Sequence, residues 1–285
     1  MAETTSTVKP TTSVQAKKSS NIISLIAPVL CLLAGYLLWR FGLGNPSNFD
    51  KVVDNGWFWP KYEGPKSGLS KMYLGGIIVP ILIGTFLTML TFVIERFMTI
   101  AKASGTGNNA DFIRKVQYQL ANKNVDAALA ECDKQKGSVG NVMKAGLHRY
   151  KEMISNSELT TDQKVMSIQK EVEEATSLEL PMLEKNLVFL STIASIATLL
   201  GLLGTVLGMI RAFSNLGADS GGAGAAAQLS VGISEALYNT ALGIGTSAIA
   251  IILYNFFTSK IDGLTYGIDE AGFSIVQNFT AQAKV

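Results

Sequence analysis

From Asn186 to Ile210 the chain runs 25 residues without a charge. As a helix this run would measure about 38 Å, longer than the ~30 Å hydrocarbon core of a bilayer. Three other uncharged or nearly uncharged runs share the property: Ser19–Trp39, Met72–Ile94 and Ile233–Phe257. The last carries one carboxyl group, Glu235. A carboxylate at hydrocarbon depth costs roughly 3 kcal/mol or more on insertion scales, so it needs an interior, a water or a partner. Only 16% of the 285 residues are charged and 27 are glycine, the profile of a membrane protein. No basic stripe interleaved with aromatics occurs, so nucleic acid is not an expected partner. The single histidine, His148 beside Arg149, and two cysteines in dissimilar surroundings, Cys31 and Cys132, argue against a transition-metal site and against a disulfide.

In chain order, residues 1–18 are rich in Thr, Ser and Lys and read as a disordered cytoplasmic tail. Residues 19–40 form a first membrane helix, with Pro28 as a kink. The run is long for a signal-peptide core, and no Ala-x-Ala-like site follows it. Residues 41–71 are an external (periplasmic) loop, whose Trp57-Phe-Trp-Pro60 reads as a headgroup-level segment. Residues 72–95 are the second span, stopped by Glu95-Arg96.

Residues 96–185 change character, holding 13 of the 24 Lys and Arg. Helical spacing over Asn108–Ala121, Asn124–Gln135 and Val139–Met153 predicts a cytoplasmic helical domain. Thr160-Thr-Asp-Gln163 fits a capping box opening a further helix. One continuous helix is expected from Asp162 to Ser214. Residues 186–213 are the third span, 214–229 an external loop without Lys or Arg, and 230–258 the fourth span. Residues 259–285 form a C-terminal helix. The Lys/Arg distribution puts both termini in the cytoplasm, although Lys51, Lys61, Lys66 and Lys71 run against that assignment. The fold class is therefore an all-α integral membrane protein with four transmembrane helices and long helices reaching into a cytoplasmic domain.

At 100° per residue, Ser191, Ser195, Thr198 and Thr205 fall within about 80° of one another on the third span. On the fourth, Glu235, Asn239 and Thr246 lie close together. Gly243, Ser247, Thr240 and Tyr254 extend that face, opposite Leu237, Ala241 and Ile252. Two readings stand. Ser, Thr and Gly at i, i+4 spacing bring membrane helices into close contact, as Gly201, Gly204 and Gly208 would. Alternatively the hydroxyls line a polar path, which Glu235 favours. No other span holds a deep Asp, Lys or Arg, so a partner helix would have to supply a second ionisable group.

Leu199-Leu-Gly-Leu-Leu-Gly-Thr-Val-Leu-Gly-Met-Ile-Arg-Ala-Phe213, Glu235-Ala-Leu-Tyr-Asn-Thr-Ala-Leu-Gly243 and Ile94-Glu-Arg-Phe97 resemble the MotA/TolQ/ExbB ion-channel family, most closely ExbB and TolQ. The resemblance covers Met72 to Phe257 and implies a three-helix ExbB-like core beside one extra N-terminal helix. It further implies a homopentameric ring in the bacterial inner membrane around two copies of a single-span ExbD/TolR-like partner. That partner's membrane aspartate would carry the ion, and a TonB-like protein would receive the work. By position, Thr205 and Thr240 match the family's pore threonines and Glu235 its pore glutamate; Thr198, Asn239, Thr246 and Ser247 complete the expected ion path. The chain departs from the family in its first helix, and in Ile249 where a proline is usual. The extra oxygens of Thr246 and Ser247 suit sodium as well as protons, so the coupling ion stays open. No cofactor and no enzymatic activity are expected. A TolQ-like or motility-stator subunit, sodium-driven or not, and a plain structural scaffold remain as alternatives.

Overall fold

The computed structural model describes residues 22–54, 56–218 and 223–283, so the expected tail at 1–18 lies outside the described residues. Helix α1 covers Ile22–Leu37 and continues as a π turn over Leu38–Leu43. A two-stranded antiparallel hairpin follows, β1 Phe49–Asp54 and β2 Lys61–Pro65, then α2 Gly68–Leu74 and α3 Ile78–Ala103. Helices α4 Asn109–Ala121, α5 Val125–Gln135, α6 Gly137–Ser155 and α7 Thr161–Glu184 come next. The chain closes with α8 Leu187–Ala218 and α9 Ala223–Ala283. Four stretches are long and apolar enough to span a membrane: Leu25–Leu43, Ile78–Ala103, one within Thr161–Ser214 and one within Leu229–Gln282. The protein is an all-α, multi-pass membrane protein with a small β-hairpin between its first two spans.

The bundle of α4–α7 with the C-terminal part of α9 obeys local signals. Asn108 and Asn124 accept hydrogen bonds from Ala110 N and Ala127 N, satisfying backbone donors at the starts of α4 and α5. Thr160 and Gln163 form the reciprocal capping box of α7. Val116, Leu120, Met143, Leu147, Ile168 and Ile268 are fully buried in its core. Cys132 lies there too, with a thiol that burial pushes up to about 12. His148 is exposed, and Cys31 and Cys132 are unpaired thiols.

Three expected elements take different forms. The single helix from Asp162 to Ser214 is broken at Lys185–Asn186, where Asn186 adopts φ +68°. The break is held from outside. Arg96, 2% exposed, donates to the carbonyls of Leu183 (3.0 Å) and Met182 (3.4 Å), which satisfies the end of α7. Its neighbour Glu95 pairs with Arg96 and accepts from Asn186 Nδ2 at 3.2 Å. The charged pair at Glu95-Arg96 does not end α3, which runs on to Ala103 and starts only at Ile78, after a turn at Gly75–Gly76. The fourth span and the C-terminal helix are one continuous α9 of 61 residues.

The segment 41–71, expected as a loop, contains a folded unit. Trp39, Phe49, Tyr62 and Tyr73 are buried together, with Trp39 and Tyr73 stacked at 4.4 Å and Phe49 and Tyr62 at 4.6 Å. Tyr73 Oη donates to Pro60 O at 2.8 Å, and burial raises its hydroxyl's pKa. Helix α1 is bound to the core rather than loosely tethered. A methyl group built on Gly35 would lie 2.5 Å from the Gly84 nitrogen, so these backbones touch.

Candidate functional site

Helices α8 and α9 run antiparallel and meet along a seam of small residues. Gly201 faces Gly243, Gly204 faces Asn239, Gly208 faces Ala236, and Ala212 faces Gly232. A methyl on Gly243 would stand 2.5 Å from the Ala197 carbonyl oxygen and 2.7 Å from Gly201 Cα. Only glycine permits this approach, and close approach is what helix pairs in lipid rely on.

The polar face expected on α9 is this packed face. Asn239 (0% exposed), Thr246 and Ser247 are buried among the chain's own helices. Thr240 Oγ1 donates to Gly201 O at 3.2 Å, and Ser247 Oγ donates to Ala194 O. Asn239 Nδ2 donates to Gly75 O at 3.1 Å, tying α9 to the turn before α3. Its Oδ1 is buried without a partner, an arrangement that usually costs about 1–3 kcal/mol. Four of the seven residues expected in the path therefore contact the subunit's own interior. The opposite face, with Leu237, Ile244 and Ile252, is exposed.

The hydroxyls of α8 go elsewhere. At 100° per residue the packed row Ala197, Gly201, Gly204 and Gly208 lies about 110° from the stripe Ser191, Ser195, Thr198 and Thr205. Thr198 and Thr205 are partly exposed. Thr205 donates to its own helix at Leu202 O (2.7 Å) and lines an open groove with Val206, Met209, Ile210, Phe213 and Ser214. Thr240 docks on Gly201, one turn from Thr205, so the two threonines sit on adjoining sides of α8 rather than on one wall.

Glu235 lies one turn beyond Asn239, half-buried, where the charge of Arg211 acts on it. The guanidinium of Arg211 in turn packs on the backbone of Gly76, where a methyl would meet Nη2 at 2.6 Å. Spacing did not single out Arg211 or the Gly75–Gly76 turn. The available signal was that Arg211 is the sole Lys or Arg between Asn186 and Ser259.

These features define a membrane helix bundle with a carboxylate and a hydroxyl-bearing flank. Residues 134–270, which contain the whole seam, match the MotA/TolQ/ExbB proton channel family. Through this segment the chain is similar to that family, whose members are described as proton channels, and its relatives carry the names ExbB and TolQ. The ExbB-like 3 biopolymer transport protein of Synechocystis sp. is 40% identical over 88 residues, 31% of this chain and 42% of its own length. Biopolymer transport protein ExbB of Helicobacter pylori is 45% identical over 83 residues, 29% of this chain and 56% of its own. Tol-Pal system protein TolQ of Pseudomonas aeruginosa is 28% identical over 183 residues, 59% of this chain and 78% of its own. The matches to the two ExbB-named relatives thus span about half of each one's length.

Proposed function

We propose that this chain is the ring subunit of an ExbB-type motor in the bacterial inner membrane. In this reading it forms a homopentamer around two copies of an ExbD/TolR-like single-span protein. Ion flow past the ring then energises TonB-dependent transport across the outer membrane. The observation that carries the reading is the position of the α8 hydroxyl flank. Thr205 lines an open groove and Thr198, on the same flank, is partly exposed, while a carboxylate, Glu235, stands on the neighbouring helix. A ring of such subunits surrounds a space lined by hydroxyls and apolar side chains, which suits an apolar helix carrying one acid group. The proton is the translocated ion in this reading. About 2.3 kcal/mol per charge per 100 mV of membrane potential is available to drive it. Both termini and the α4–α7 bundle lie in the cytoplasm.

A second reading, a TolQ-like subunit, draws on the TolQ relative, whose match covers most of that protein. Motility use and sodium coupling belong to the same alternative. The test is energised uptake in cells carrying Glu235→Ala or Thr205→Val. Both variants are expected to form rings by native mass measurement and to lose uptake. Normal uptake in both would remove the ion path from these residues, and loss of envelope integrity with intact uptake would favour the TolQ-like role.

A further inference from the structure

We propose that the Trp57–Trp59 turn of the hairpin is a lipid anchor, with Trp57 and Phe58 set among phospholipid headgroups at the C-terminal end of α1. This inference rests on the membrane fold alone and not on the ion-motor reading. The candidate span Leu25–Leu43 is 19 residues, about 28 Å as a helix, so its two ends lie near the two faces of the hydrocarbon core.

The turn does not project away from that helix. Tyr36 Oη donates to Phe58 O at 2.6 Å, and Arg40 Nε donates to Trp57 O at 3.3 Å. Phe58 stacks on Tyr36 at 5.0 Å, and Trp59 lies 4.5 Å from Trp39. The turn is thus folded back along the last two turns of the span. Arg40, which holds Trp57, precedes Leu43 by only three residues, which places the Trp57 backbone within about 5 Å of the helix end.

At that level Trp57 is 89% exposed and Phe58 60%. Leu37, Leu38 and Phe41 at the same end of α1 are exposed as well, so apolar surface is presented by both the turn and the helix end. Indole and phenyl rings at this depth partition to the headgroup boundary, where the ring is dehydrated and the indole N–H stays hydrogen-bonded. Arg40 stands over Phe41 at 5.4 Å, and its side-chain hydrogen bond among the described residues is made through Nε. Its Nη groups are thereby placed for a lipid phosphate. A water-exposed docking loop for a soluble partner would instead hold its rings above the end of the span.

The experiment is tryptophan fluorescence of the full chain in phosphatidylcholine/phosphatidylglycerol vesicles, with bromines near the top of the acyl chains as quencher. Trp39 is 1% exposed and Trp59 is half-buried, so Trp57 should dominate the response among the three tryptophans. Bromolipid is expected to quench the wild type, and Trp57→Phe to lose most of that quenching. Aqueous iodide is expected to have little effect. Quenching unchanged in Trp57→Phe would overturn the proposal. So would a Trp57 signal that answers to iodide and not to bromolipid. Because the ring is exposed, the substitution removes little packing, and unaltered circular dichroism of the variant excludes misfolding as the cause.

Discussion

The α8–α9 seam and the α4–α7 bundle are both made of packed helices, yet they use opposite side-chain choices. In the bundle, contact is made by Leu, Ile, Val and Met, all at or near zero exposure. In the seam it is made by glycine and alanine backbones and by hydroxyls donating to carbonyls of the neighbouring helix. Water explains the first: removing large apolar groups from it stabilises by about 25 cal/mol per Å2. Lipid explains the second, because a leucine gains nothing by leaving one hydrocarbon for another, so close approach and hydrogen bonding have to hold the helices. Arg96 stands at the border of the two regimes, where a buried cation on α3 fastens the end of α7 while its partner Glu95 accepts from Asn186 just before α8.

The contrast can be broken in both directions. Ile268→Ala, a truncation in the bundle core, should cost about 2–5 kcal/mol in chemical unfolding of the detergent-solubilised subunit. Gly243→Ala, an enlargement in the seam, should cost about 1–3 kcal/mol in the same assay. Gly245→Ala on the same helix, where an added methyl meets nothing within 4 Å, should be neutral or slightly stabilising. If Gly243 and Gly245 tolerate alanine equally, the seam is not held by backbone contact.

The hydroxyls sharpen the distinction further. Thr240→Val removes a bond to another helix and should cost about 0.6 kcal/mol. Thr205→Val removes a bond within its own helix and should change stability by less than about 0.5 kcal/mol. Equal losses would place both threonines in the seam. The smallest effect concerns the bundle's thiol. Cys132 ionises in the unfolded chain near its ordinary value of 9.0 and in the folded one near 12. Its contribution to stability is therefore full below pH 9 and is lost as pH rises toward 12. With Cys31→Ser as background, iodoacetamide at pH 9 should modify native Cys132 at least about tenfold more slowly than the unfolded chain, since the thiolate is the reactive form. Rapid labelling would mean that the bundle opens.

Elements with local causes were legible in the sequence. The apolar runs, the helical spacing of α4 to α6 and the capping box at Thr160 each depend on residues within a few positions of one another. So was the small-residue pattern of Gly201, Gly204 and Gly208. What escaped depends on distant partners. The break at Asn186 is held by Arg96, some ninety residues earlier. The hairpin had a turn signal in Asn55-Gly56, but what holds it together is ring stacking between β1, β2, α1 and α2.

For the site, the sequence by itself determined the chemistry: two bilayer-length helices, their hydroxyls, one carboxylate and a family resemblance. Only the tertiary structure decided how those groups divide. Periodicity places a residue on a face of its helix, but it does not say which face another helix covers. Packing put Asn239, Thr240, Thr246 and Ser247 against the subunit's own backbone and left Thr198 and Thr205 facing outward. The reason is steric: α8 and α9 approach most closely where both carry glycine, and that contact fixes the rotation of every other side chain about the two helix axes.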